Sequence, residues 1–211
     1  MKAREKAKGK HILFSMNKEN PILTEHIAKG GSAVYMRNND IYITCKGISR
    51  NFIKLMDIPA TLSGKLRHNI YNSMAAIGAC FALGISFDAI IEALSEFGSD
   101  ANSNPGRFNI YDLGSFKVVL DYGHNMEGYR VTIDGLKALK PSRLIGVIGV
   151  PGDRLDTDIY NVGKISGNSF DYIYIKEDSD LRKRQPLETA KILYRGALSS
   201  GISKESIKIV P

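Results

Sequence analysis

The chain has 211 residues, of which 43% are hydrophobic and 24% are charged, as is typical of one or two globular domains. Its 29 basic and 22 acidic side chains give a net charge of +7 at pH 7. An excess of this kind fits an anionic nucleotide, an acidic polymer or a nucleic acid. Composition therefore indicates a globular protein and selects no function.

Several classes of protein are excluded by simple features. The two cysteines, Cys45 and Cys80, are too few and too far apart for a disulfide framework or a zinc site, so we expect a reducing, cytoplasmic setting. The longest apolar run, residues 74–85, is shorter than the roughly 20 residues of a membrane-spanning helix. The basic start, residues 1–10, has no apolar core behind it, so we expect a solvated terminus rather than a signal peptide.

The first half of the chain predicts a small sheet followed by two helices. Residues 1–60 show the pattern of short strands and turns, including a hairpin that turns at Asn38, Asn39 and Asp40. Apolar residues at helical spacing then predict helices over residues 69–83 and 86–97, the second capped by Ser86.

Residues 98–106 consist of turn formers and predict a linker, with a domain boundary near Asn104. We therefore expect a first unit over residues 1–98, a linker over 99–106 and a second domain over 107–211.

The second domain alternates strands and helices. A hairpin is predicted at residues 108–111 and 116–121, and it is followed by the predicted helices 127–139, 156–168 and 186–199 and strands 144–148, 172–176 and 207–210. This alternation predicts an α/β fold with a parallel sheet and helices on both faces. The chain stops on a strand, so we expect a truncated domain.

Three polar loops follow predicted strands, at the sheet edge where α/β proteins bind ligands. Loop one is residues 121–125, loop two is residues 149–154 and loop three is residues 177–184. Glycines in loop two would let its backbone approach a ligand, and the acids and bases of loop three suit a zwitterionic amino acid. The residues that carry these charges and polar groups are Asp121, His124, Asn125, Asp153, Arg154, Asp178, Asp180 and Arg182.

Each loop also has a simpler interpretation. A polar loop between a strand and a helix can serve only to cap the helix, His124 can be a surface histidine, and loop three can be a solvated run of charges. Loop two is not a P-loop, because it lacks the Gly-Lys-Ser/Thr ending, and no such motif occurs elsewhere in the chain. Neither a Ser/His/Asp nor a Cys/His arrangement is apparent, and no aromatic pattern typical of nucleic-acid binding occurs.

Several motifs resemble those of one enzyme superfamily. The Gly, His-Asn, Asn and Ala-Ala pattern over residues 64–76 is similar to the end of the central ATPase domain of Mur ligases and folylpolyglutamate synthetases. The Pro-Gly-Arg pattern at 105–107 and the Asp-Tyr-Gly-His-Asn pattern of loop one resemble the start of their carboxy-terminal domain. Within this superfamily, residues 13–17, 149–154 and 175–180 most resemble the cyanophycin synthetase family.

The resemblance implies an α/β fold in which the end of a Mur central domain precedes a Mur carboxy-terminal, Rossmann-like domain. It implies an ATP-dependent ligase, using Mg²⁺ held mostly outside this chain, that joins arginine to aspartate side chains of an aspartate-rich polymer. It implies no nucleic-acid partner and leaves a homo-oligomer open. The implied roles are adenine contacts for Asn69 and Asn72, phosphate contact for Arg107, ribose contact for Asp121, a place in the reaction cleft for His124 and Asn125, and amino-acid binding for Asp153, Arg154, Asp178, Asp180 and Arg182.

The chain also departs from the family pattern. Met126 stands where the motif usually has proline, and Gly123 where it usually has alanine, and both changes concern a turn. Because the P-loop is absent, we expect the chain alone to be inactive. Two alternatives remain, namely a Mur-type ligase for another amino acid and a degenerate Mur domain that only binds ligand.

Overall fold

The computed structural model describes residues 8–210, which divide between two compact units, Met1–Val118 and Val119–Pro211. The predicted solvated start lies mostly outside the described residues, which begin at Lys8. The division falls beyond the turn-rich segment of residues 98–106.

The first unit is built on a four-stranded sheet in the order β1-β2-β3-β4. Strands β1 and β2 are parallel, and the other neighbours are antiparallel. Its elements are β1 (Ile12–Ser15), α1 (Pro21–Ala28), β2 (Ser32–Arg37), β3 (Asp40–Cys45) and β4 (Ile48–Lys54), followed by the short 3-10 turns Leu55–Asp57 and Pro59–Thr61, α2 (Arg67–Ala82) and α3 (Phe87–Glu96).

The predicted hairpin is present, and it joins β2 to β3. Asn38 and Asn39 have φ angles of 53° and 63°, the left-handed values that a two-residue hairpin turn requires and that asparagine tolerates. The prediction of strands and turns alone over residues 1–60 is wrong at α1. There Asn20 caps the helix by accepting from the backbone N–H groups of Ile22 and Leu23, and Pro21 occupies the first turn.

Helix α2 packs against the sheet and forms the core of the first unit. Ile70, Met74 and Ile77 are all within 1% of complete burial and share one hydrophobic core with Val34 and Ile41 of the sheet. The predicted periodicity of this helix is confirmed, since its buried residues recur at helical spacing. Ser86 caps α3 by accepting from the N–H of Ala89, as the sequence indicates.

The turn-rich segment is held by one buried side chain. Asn109, 1% exposed, donates to the carbonyl oxygens of Ser99 and Asn104 at 2.8 and 2.9 Å and accepts from the N–H of Gly106 at 2.6 Å. Because its amide satisfies three backbone groups at once, residues 99–109 form an ordered turn structure. The composition of this segment gives no sign of that role.

The second unit follows a two-stranded ribbon of β5 (Asn109–Asp112) and β6 (Lys117–Leu120). Its elements are α4 (Met126–Ala138), β7 (Ile145–Ile148), α5 (Asp156–Gly167), β8 (Tyr172–Lys176), α6 (Glu188–Leu198), the 3-10 turn Lys204–Ser206 and β9 (Ile207–Val210). The predicted order of helices and strands is confirmed, with ends that differ by one or two residues.

The parallel sheet of the second unit has the order β7-β8-β9 and one covered face. Ile148, Ile173, Ile175 and Ile207 point to that face and pack in one core with residues of α5 and α6. The alternate residues are exposed, with Val147 at 73%. The prediction of helices on both faces of this sheet is therefore wrong for residues 8–210.

Glycines allow α5 and α6 to approach closely. A Cβ added at Gly163 would collide with the Leu193 carbonyl, and one added at Gly196 would collide with the Tyr160 carbonyl. The backbones of the two helices are thus in direct contact, and any side chain at these positions would separate them.

Within residues 8–210, no helix combines the length and the apolar character that crossing a bilayer requires.

Candidate functional site

Loop one leads from β6 into α4 and is organised by two side chains. Oδ1 of Asp121 accepts from the N–H of Gly123 at 2.8 Å and from Oγ1 of Thr132 at 3.0 Å. Asn125 caps α4, since its Oδ1 accepts from the N–H of Gly128 at 2.8 Å. The capping interpretation therefore holds for Asn125, and the same bonds fix the position of the Asp121 carboxylate.

His124 lies between these two residues and is partly exposed. Its Nδ1 lies 3.1 Å from the carbonyl oxygen of Tyr122, and the two rings are 5.5 Å apart. With Asn125, it lines a cavity whose wall is completed by Arg154 of loop two and by α5. The structure thus brings loop one and loop two to one cavity.

The glycines of loop two allow a close approach of another segment of the chain, which the sequence does not predict. A Cβ at Gly152 would lie 2.5 Å from the carbonyl oxygen of Leu181, and a Cβ at Gly149 would lie 2.8 Å from that of Lys176. The close neighbours of both glycines are therefore backbone atoms in and just before loop three. Within residues 8–210, the lack of a side chain at these two glycines therefore makes room for the backbone of another segment.

Tyr129 connects α4 to loop two. Its hydroxyl donates to the carbonyl oxygen of Gly149 at 2.8 Å and accepts from the N–H of the same residue at 3.0 Å. Burial raises the pKa of Tyr129 to about 12, because the phenolate would be poorly solvated, and the negative charge of Asp121 also acts in this direction.

Loop three folds back on itself and reaches loop two. Arg182 pairs with Asp180 at 2.6 Å and with Asp153 of loop two at 3.4 Å. Oδ1 of Asp178 accepts from the N–H of Asp180 at 3.2 Å. About half or more of each of the three paired side chains is exposed, so these are surface ion pairs of small individual energy.

Arg184 joins the two loops, a role that the sequence does not indicate. Its Nε donates to the carbonyl oxygen of Gly152 at 2.6 Å, and its Nη2 donates to that of Arg154 at 2.7 Å. The same guanidinium pairs with Asp156 at 2.7 Å and Glu188 at 2.8 Å, while only 15% of its side chain is exposed. The sequence places it in a run of three basic residues, where only the fold distinguishes it from its neighbours.

The remaining predicted residues lie in the first unit. Asn69 is 9% exposed, and its Nδ2 donates to the carbonyl oxygen of Ala60 at 2.7 Å. Its Oδ1 accepts from Nδ2 of Asn72 at 3.4 Å, and Asn72 lies on the exposed side of α2. Arg107 is exposed, directly before the buried Phe108 and Asn109. Asn69 is therefore placed to orient Asn72.

Comparison with known proteins identifies a family for the second half of the chain. Residues 106–209 match the model of the Mur ligase, glutamate ligase domain. The chain is 37% identical to the cyanophycin synthetase of Crocosphaera subtropica over 92% of its own length and 38% identical to that of Geminocystis herdmanii over 91%. It spans only 22% of either relative.

Two further comparisons extend the likeness to other ligases. The chain is 34% identical to the UDP-N-acetylmuramoyl-L-alanyl-D-glutamate–2,6-diaminopimelate ligase of Clostridium botulinum, over 68% of this chain and 28% of that protein. The folylpolyglutamate synthase of Thermotoga maritima has the same fold, with a TM-score of 0.53 at 16% identity, covering 94% of this chain and 46% of that one. Residues 106–209 therefore belong to the Mur ligase, glutamate ligase domain family.

Proposed function

We propose that this chain is a segment of an ATP-dependent amide-bond-forming ligase that adds arginine to aspartate side chains of an aspartate-rich polymer. The similarity that supports the arginine ligase reaction is to cyanophycin synthetases, at 37% identity over 92% of the chain. In such a reaction, the γ-phosphoryl group of ATP would pass to the carboxylate, with Mg²⁺ neutralising charge, to give an acyl phosphate and ADP. The α-amino group of arginine would then attack the acyl carbon, lose a proton and expel inorganic phosphate, which leaves the amide. The observation that carries the proposal is loop one, where a fixed carboxylate, an imidazole and a helix cap follow one another at the end of a strand.

Each proposed nucleotide contact pairs one type of side-chain group with one part of ATP. The amide of Asn72, oriented by Asn69, suits the polar edge of adenine, because an amide both donates and accepts. The guanidinium of Arg107 suits a phosphate, and the carboxylate of Asp121 suits the ribose hydroxyls. These groups can position a nucleotide and neutralise its charge, which is most of what phosphoryl transfer asks of a protein.

We propose that loops two and three hold the amino acid whose amine attacks the activated carboxylate. His124 and Asn125 line the cavity beside Arg154, so they are our candidates for the reaction cleft. Arg154 and Arg182 provide cationic groups for the amino-acid carboxylate. The acids Asp153, Asp178 and Asp180 add negative charge around this site, which favours a cationic amino acid over an anionic one.

A chimera tests the ligase function. The matching segment of the Crocosphaera cyanophycin synthetase is replaced by this chain, and incorporation of labelled arginine into a poly-aspartate primer is measured with and without ATP. We expect ATP-dependent incorporation from the chimera and none from the 211-residue chain alone, which has no P-loop. A folded chimera that hydrolyses ATP without incorporating arginine would favour a domain that only binds ligand.

Two substitutions test the nucleotide contacts within the chimera. Asp121→Asn keeps an acceptor for Gly123 and Thr132 but removes the charge, and Arg107→Ala removes an exposed guanidinium. We expect each to lower kcat/KM for ATP by about tenfold or more, the usual scale for one charge-assisted contact. Arg143→Ala, at an exposed arginine outside the loops, is the matched control. Unchanged ATP kinetics in both variants would contradict these assignments.

A further inference from the structure

The cavity beside loop one has a volume of about 360 Å³, and the second unit alone forms it. Its apolar wall includes Val150, Ile159 and Val162, all buried. Charged side chains line the rest, namely Glu127, Arg154 and Asp158. A concave apolar wall with a few charged groups is the usual composition of a site for a small ligand.

Two of the charged groups that line the cavity could form further polar contacts. Nε of Arg154 is buried and has no hydrogen bond within residues 8–210, and its ion pair with Asp153 is long, at 3.9 Å. Over the same residues, the Asp158 carboxylate has neither a hydrogen bond nor an ion pair. A buried donor without an acceptor costs free energy, which a bound anionic group would recover. Asp158 lies in the first turn of α5, where the helix dipole favours a negative charge.

The charges of loop three are less available. Asp180 and Arg182 pair with each other at 2.6 Å, and Asp178 accepts from the backbone of its own loop. A ligand would have to displace these contacts, whereas within residues 8–210 the Asp158 carboxylate has none to lose and Nε of Arg154 has only its long ion pair with Asp153. The cavity is for this reason the better place for the charged ends of an amino acid.

We propose that Asp158 holds the guanidinium of the incoming arginine in this cavity, beside the contact already proposed between Arg154 and the α-carboxylate, and that Asp158 thereby determines the preference for a cationic side chain. The methylene groups of the ligand would contact Val150, Ile159 and Val162. A guanidinium donates in a planar fork that matches a carboxylate, so Asp158 distinguishes arginine from a neutral analogue. The inference rests on the proposed function for the identity of the amino acid.

Calorimetric titration of the 211-residue chain with L-arginine and with L-citrulline tests the proposal. Citrulline has the shape of arginine with a neutral end, so it probes the guanidinium contact alone. We expect the wild-type chain to bind arginine about tenfold or more tightly than citrulline, and Asp158→Asn to bind both with the weaker affinity. Asp134→Asn removes an exposed acid of α4 outside the cavity and should bind both ligands as the wild type does.

Two results of this titration would overturn the cavity assignment. The first is an Asp158→Asn chain, with an unchanged melting temperature, that keeps the full preference for arginine. The second is a wild-type chain with no saturable arginine binding. Failure of the ligase function is seen separately, as a chimera without ATP-dependent incorporation. A chimera that incorporates arginine with the same KM before and after Asp158→Asn would reject the cavity and retain the ligase.

Discussion

Arg184 contacts four groups of the second unit, and only 15% of its side chain is exposed to solvent. Two of these groups are backbone carbonyls of loop two and two are carboxylates at the starts of α5 and α6. A guanidinium can serve all four because its donors radiate in one plane. Arg184 therefore fixes loop two relative to loop three and two helices.

Replacing Arg184 tests this role. Arg184→Ala leaves two carbonyls without their donor and two carboxylates without their cation, so we expect the free energy of unfolding to fall by roughly 2–4 kcal/mol. Arg182→Ala is the matched control, because Arg182 is 48% exposed and its surface pairs should contribute about 0–1 kcal/mol. Urea unfolding of both variants gives the comparison, and equal losses would show that Arg184 is no more than a surface charge.

Tyr129 provides a test in which pH is the variable. The pKa of Tyr129 is raised to about 12 in the folded chain, against about 10 when unfolded, so the unfolded chain releases this proton first. The stabilising effect is therefore complete below pH 10 and is lost as the pH rises from 10 to 12. This shift corresponds to roughly 2–3 kcal/mol.

The measurement compares the wild type with Tyr129→Phe, which cannot ionise. We expect the wild type to lose more stability than the variant between about pH 10 and 12 in urea unfolding. Parallel curves for the two proteins would mean that the hydroxyl is not buried against Gly149. At neutral pH, the variant should be less stable by about 1–3 kcal/mol, because both backbone groups of Gly149 lose their partner.

At the scale of elements, the crossing of α5 and α6 depends on two glycines. Gly163→Ala and Gly196→Ala each place a methyl group against a backbone carbonyl of the other helix, which cannot move aside as a flexible side chain could. We expect each variant to lower the free energy of unfolding by about 1–3 kcal/mol or more.

The control for these two variants is Gly128→Ala, in α4. Its added Cβ would meet its nearest neighbours at an ordinary distance of 3.4 Å. Alanine favours the helix by up to about 1 kcal/mol over glycine, so this variant should be neutral or stabilised. Thermal unfolding of the three variants measures the difference, and a loss at Gly128 equal to that at Gly163 would contradict the packing argument.

Local patterns predicted most of the elements, for reasons visible in particular residues. Asn38 and Asn39 adopt the left-handed turn that their side chains favour, and Ser86 caps α3 by a contact within three residues. Helix α1 was not predicted, because its eight residues offer little periodicity and only its Asn-Pro start is a signal. The single covered face of the β7-β8-β9 sheet is not predicted either, because the exposed face carries Val147, Tyr172 and Tyr174, so the strands read as apolar on both faces.

The candidate site is likewise only partly predictable from the sequence. The sequence selects polar residues at strand ends, and loops one and two do meet at one cavity through His124 and Arg154. It does not distinguish Arg184 from Arg182, since both stand in one basic run and differ only in burial. The contacts of Gly152 with Leu181 and of Asn109 with Ser99 join positions whose pairing depends on the fold.

At the scale of the whole molecule, the net charge of +7 is in keeping with a partner that carries negative charge. An aspartate-rich polymer and ATP both do so, and the proposed ligase uses both. The chain spans 22% of the cyanophycin synthetases it matches, so its contribution is best measured within a relative of full length.

The most direct test of the proposed function is the choice of amino acid by the chimera. Labelled arginine is supplied with ATP and primer, and unlabelled lysine, glutamate or meso-diaminopimelate is added in excess as competitor. We predict ATP-dependent incorporation of arginine that none of the three competitors displaces. Incorporation of diaminopimelate, lysine or glutamate in preference to arginine would contradict the proposal and would identify the chain as part of a Mur-type ligase for another amino acid.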